Sequence, residues 1–113
     1  MEADLRLIEE TFKERLVDGL RVCAAGRWGL FGSNDAVLVA HFGKHARYLS
    51  PVAAALVHQA AEIEELRTRL GCTEPNLWVE RFKAYRKRST EPNAPGEPKL
   101  AQALLDEMRI FGG

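Results

Sequence analysis

His41, His45, His58 and Glu62 are the residues of this sequence that could hold a metal ion. His41 and His45 stand four apart, as do His58 and Glu62. Each pair therefore shares one side of a helix. A turn at Ser50-Pro51 would fold two helices antiparallel, with His41 nine residues before Ser50 and His58 eight after it. Three imidazoles and a carboxylate at similar heights make a divalent-metal set of the kind helical bundles build. The competing expectation is that each histidine is satisfied in the core or at its boundary. His45 falls within the apolar stripe Leu38, Phe42, His45, Leu49, whereas His58 falls beside the stripe of its own helix. No metal and no cofactor is therefore expected.

The second set is basic. Arg81, Lys83, Arg86, Lys87 and Arg88 surround Tyr85, with Trp78 close by. Cations interleaved with aromatic rings suit phosphate contacts and base stacking. The simpler account buries Trp78, Phe82 and Tyr85 as one stripe and leaves the charges as its solvated opposite face. Cations near a helix C-terminus also complement its dipole. Sixteen acidic and sixteen basic residues balance to zero net charge, which argues against a surface built throughout for nucleic acid or anionic membrane.

The third set is GRWGLFGSND, Gly26 to Asp35, where Gly26, Gly29 and Gly32 alternate with Trp28, Leu30 and Phe31. Glycine turns ahead of a helix can cradle phosphate, but a P-loop needs Gly-Lys-Ser/Thr and a dinucleotide fingerprint must follow a strand. Neither condition holds. The apolar side chains are the stronger signal. One expectation folds them back over the end of the bundle, as compact loops do. The other leaves part of Arg27, Trp28, Leu30 and Phe31 exposed as a contact surface, since Trp, Phe and Arg are favoured at interface hot spots.

No catalytic set emerges. There is no Gly-x-Ser-x-Gly and no His-Glu-x-x-His. The two cysteines, Cys23 and Cys72, form no Cys-x-x-Cys pair, and each is expected to act as a small apolar residue. Carboxylate pairs such as Glu9-Glu10 and Glu64-Glu65 fall on solvated helix faces.

These residues must be positioned by helices. Leu5, Ile8, Phe12, Leu16 and Cys23, with Leu20 beside them, recur at helical spacing and predict a helix over 2–25, stopped by Gly26. Gly19 near that stripe implies a close neighbour or a bend. Ser33-Asn34-Asp35 is a cap cluster for a helix over about 34–49, with a short strand over 36–41 as the alternative. Ser50-Pro51 opens a third helix to Leu70, ended by Gly71. Leu49, Val52, Leu56, Gln59, Ile63, Leu66 and Leu70 form its seam, and its alanine-rich first half reads as covered on several sides. Thr73-Glu74-Pro75 begins a helix over about 76–88. STEPNAPGEP is loop, and Pro98 opens a helix over about 98–111 with Leu100, Leu104, Leu105, Met108 and Phe111 on its apolar side.

With 113 residues, 46% of them hydrophobic and 28% charged, the chain suits one globular domain over 1–113. The expected fold is all-α: four to five helices, a central alanine-rich helix over about 51–70, and a glycine/aromatic loop over 26–35. The acidic, amphipathic N-terminus MEADLRLIEE is unlike a secretory signal, and the longest aliphatic run, Ala36 to Ala40, cannot span a bilayer. A cytoplasmic location is the expectation. The functional expectation is a non-enzymatic protein–protein interaction module that self-associates. Polyanion binding through residues 81–88 comes second, and the histidine metal site third.

Overall fold

The computed structural model describes residues 2–25 and 51–110, and they are all-helical. Four helices occur among the described residues, with no strand: α1 (Glu2–Ala24), α2 (Pro51–Arg69), α3 (Leu77–Ser89) and α4 (Glu97–Ile110). The expected loop over 26–35 and the helix or strand over 34–49 lie outside the described residues.

Helix α1 forms where the sequence places it, because its apolar residues recur on one side. Leu5, Phe12, Leu16, Leu20 and Cys23 are buried, and Ile8 is half-buried. Gly19 is buried within the same row. All three other helices pack against α1, α4 most extensively, and α3 also packs on α4.

On α2 the buried positions are Ala53, Leu56, Ala60 and Ile63. Of the expected seam, Gln59, Leu66 and Leu70 are only half-buried, while Leu49 and the side chain of Val52 lie outside the described residues. Two alanines, Ala53 and Ala60, thus enter the core one residue after Val52 and Gln59, to which the spacing points. The spacing of three and four is kept, and the shift brings small side chains to the side that packs on α1. The C-terminus closes as a Schellman motif. Gly71 adopts φ +71°, the Cys72 N–H donates to Arg67 O at 2.9 Å and the Gly71 N–H to Thr68 O at 3.2 Å. Arg67 also reaches α1, where its Nη1 donates to Glu9 Oε1 at 2.7 Å with side chains only 12% and 23% exposed. This pair sets the register of α2 on α1.

Helix α3 begins at Leu77, within one residue of the expected start. Asn76 is its N-cap, with Oδ1 accepting from the Trp78 N–H at 3.0 Å and the Val79 N–H at 3.1 Å. A buried asparagine with extended backbone satisfies two otherwise orphaned donors, so the helix begins there. Replacing Asn76 with alanine is expected to cost about 1–2 kcal/mol in urea unfolding, with the helical spectrum unchanged at low denaturant. A cost below about 0.3 kcal/mol would show that the cap contributes nothing. The buried row of α3 is Val79, Phe82 and Tyr85. Trp78, expected in that row, is half-buried instead. Its ring lies beneath Lys13 Nζ at 4.7 Å and the Arg81 guanidinium at 5.1 Å. An indole flanked by cations is satisfied at the edge of the core.

Residues 90–96 connect α3 to α4, as the prolines and glycine require. Helix α4 buries Leu100, Ala101, Leu104 and Met108, while Leu105 is half-buried. Phe111 lies outside the described residues. At the centre, Phe12 meets Phe82 edge-on at 6.2 Å, and Phe82 stacks on Tyr85 at 6.2 Å. None of the described helices is long and apolar enough to cross a membrane.

Candidate functional site

The site develops where two helices carry more apolar surface than they bury against each other. Val17 and Ala24 each follow a buried residue of α1 by one position, and Leu105 follows buried Leu104 on α4. One position is about 100° around a helix, so these side chains flank the buried rows. With Met108 they form the apolar floor of an open groove of about 480 Å³ between α1 and α4. Arg21, Gln102 and Arg109 stand at its rim, and Ala25, where α1 ends, closes one side. Arg21 pairs with Asp18 only at 3.9 Å, both side chains being more than 70% exposed. Such a pair is worth little and exchanges readily. Gln102 Nε2 donates to Asp106 Oδ1 at 3.0 Å, which occupies the nearest carboxylate of α4. Arg109 has no ion-pair partner among the described residues.

A second polar feature lies inside the core. The Tyr85 hydroxyl donates to Glu97 Oε1 at 2.7 Å, and the Cys23 thiol stands within hydrogen-bond reach of the same phenol. Burial, followed by the Glu97 charge, pushes the Cys23 thiol from 9.0 up to about 12. Burial, followed by Cys23 and Glu97, drives Tyr85 upward from 10.0 as well. Both groups are therefore neutral at pH 7. Cys23 is a core residue that ties α1 to α3 and α4, and its thiolate is too costly to serve as a nucleophile.

The residues singled out from sequence disperse. Arg27, Trp28, Leu30, Phe31, His41 and His45 lie outside the described residues. His58 and Glu62 are exposed on α2. Among the described residues no three His, Cys, Asp or Glu side chains gather as a metal set. The basic run is divided around α3. Arg81 and Arg88, seven apart, share one side, where Arg81 covers Trp78 and Arg88 reaches Glu107 at 4.0 Å. Lys83 is held by Glu80 at 3.4 Å and Glu64 at 3.7 Å. Arg86 lines a hollow with Val57, Ala60 and Phe82, toward α2. Arg86 and Lys87 are exposed and make no ion pair among the described residues. Cys23 is buried as expected, but Cys72 is exposed. It directly follows the αL glycine that ends α2 and lines an open hollow with Leu5, Arg6 and Glu9 of α1.

The groove itself escaped the sequence reading. Its signal is the surplus of apolar residues beside each stripe, Val17 on α1 and the double leucine 104–105 on α4, which a search for single stripes passes over.

The described residues form an all-helical fold, and the groove has an apolar floor with Arg21 and Arg109 among its lining residues. No family model matches the chain, and no curated protein or solved structure matches it.

Proposed function

We propose that the chain is a non-enzymatic helical interaction module that self-associates and works in the cytoplasm. The observation that supports this reading is the α1–α4 groove, where half-buried Val17, Ala24 and Leu105 leave apolar surface open between cations. Apolar area bordered by polar side chains is the make-up of a contact site. The chain passes from Ala25, at the groove's edge, into Arg27, Trp28, Leu30 and Phe31. In this reading those four residues extend the contact surface as a glycine/aromatic loop over 26–35. A fifth helix over 34–49 packs on the alanine-rich α2 and makes it central. All of it belongs to one domain over 1–113.

Light scattering tests the reading. The wild-type chain is expected as a dimer or larger species, and Trp28→Ala or Phe31→Ala should weaken the assembly about tenfold or more without unfolding it. A monomer at every concentration overturns the reading. The runner-up, polyanion binding by Arg81, Lys83, Arg86, Lys87 and Arg88, draws its support from exposed Arg86 and Lys87. Retention on heparin that falls steeply with salt and is lost in Arg86→Glu would favour it over self-association. Passage through the column at low salt would end it.

A further inference from the structure

We propose that the occupant of the α1–α4 groove is the N-terminal half of α1 from a second copy of this chain, laid antiparallel to the first. The inference rests on the self-association reading and names its surface.

Its starting point is Leu7, which is 67% exposed on an otherwise apolar-in helix. Glu10 and Glu14 are exposed one and two turns further on. Residues 7, 14 and 21 are spaced by seven, so Leu7, Glu14 and Arg21 follow one line along the helix surface, and Glu10 lies within the same band. This single ridge changes character along its length. Its first half is acidic around Leu7. Its second half carries Arg21 with exposed Asp18 beside it, and opens through Val17 and Ala24 into the groove, where Arg109 adds a second cation.

A ridge that is acidic–apolar at one end and cationic–apolar at the other is complementary to itself when reversed. That is the requirement of an isologous two-fold contact, in which the same patch serves both partners. With the dyad near residue 16, Leu7 of one copy comes over the Ala25 end of the other's groove. Arg21 then stands between the second copy's Glu10 and Glu14, and Arg109 adds a further cation at the same rim. Arg21 is available for this because its only ion pair among the described residues, with Asp18, is long and exposed. Exposed charges of opposite sign fix register and partner choice, while the apolar floor supplies the area. An unrelated acidic helix could use the same groove, but would not explain why the complementary face lies on the same helix.

The experiment is sedimentation equilibrium on full-length chains, with circular dichroism as the folding check. Wild type is expected to be dimeric. Arg21→Glu, Leu7→Glu and the double variant Glu10→Arg/Glu14→Arg are each expected to dimerise at least tenfold more weakly while remaining helical, since all substituted sites are exposed. Mixing the Arg21→Glu chain with the Glu10→Arg/Glu14→Arg chain should restore dimers of near wild-type affinity, because one of the two symmetric contacts then has both its charges reversed and the other keeps the wild-type pairing. Folded variants that dimerise like wild type overturn the proposal, and so does a mixture that stays monomeric. If the dimer ignores these changes but dissolves in Trp28→Ala, self-association stands and this surface is wrong. A monomeric wild type removes both.

Discussion

Phe12→Ala is expected to lower stability by about 3–5 kcal/mol. Phe12 is fully buried on the helix that all the others contact, with its ring edge-on to Phe82 at 6.2 Å. The truncation loses the transfer free energy of a benzyl group and the aromatic contact, and leaves a cavity whose walls come from different helices. Those walls cannot all move inward together, so little of the void closes. Domains of this size are stable by about 5–15 kcal/mol, so the variant is left marginal or unfolded at 37 °C. The melting temperature should fall by roughly 15–30 °C. Urea unfolding followed by circular dichroism measures the loss. Leu7→Ala, on the opposite side of the same helix, is the control and should change stability by no more than about 0.5 kcal/mol. A loss below about 1 kcal/mol for Phe12→Ala would mean that α1 does not hold the core in the way described.

The second large effect is alkaline unfolding. Cys23 is raised from 9.0 to about 12 by burial and by Glu97, and Tyr85 is driven upward from 10.0 by burial, Cys23 and Glu97. Both groups are neutral when protonated, and the folded state holds those protons more tightly than the unfolded chain. Stability is therefore fully present below pH 9 and falls as pH rises toward the folded values. Between pH 9 and 10 the thiol alone acts, with a slope of about 1.4 kcal/mol per pH unit. Above pH 10 the phenol adds a similar slope, so that by pH 11 the two remove about 4 kcal/mol. Unfolding midpoints from pH 8 to 11 test this. Cys23→Ala should shift the onset of the decline from about pH 9 to about pH 10. A wild-type midpoint unchanged between pH 8.5 and 10 would show that Cys23 ionises freely in the native state.

Both effects depend on residues whose burial the sequence announces but whose partners it does not. The row Leu5, Phe12, Leu16, Leu20, Cys23 could be read from spacing, and so could the αL glycine that ends α2. The same reading placed the start of α3 to within one residue but did not single out its cap. Asn76 competes as a cap with the preceding Thr73-Glu74-Pro75, and which of them closes the helix depends on which carbonyl oxygen meets the free N–H groups. It also placed Trp78 in the buried row of α3. Lys13, on a different helix, helps to hold the indole at the edge instead. Of the candidate sites, the exposed cations were legible as surface residues, whereas His58, expected in the core or at its boundary, is exposed. The α1–α4 groove was not, because it exists only where Val17 and Leu105 face the same gap.

The sequence by itself determined the four described helices, most of their ends, the row that α1 buries and most of that of α4. Those properties follow from a 3.6-residue period, from caps and from glycine conformations, all of which act within a few residues. Only the tertiary structure decided that Glu9 meets Arg67, that Tyr85 bonds to Glu97 beside Cys23, that the basic run is divided around α3, and that Cys72 faces outward. Each depends on which helix stands opposite and at what register, and side-chain spacing along one helix carries no information about its neighbour.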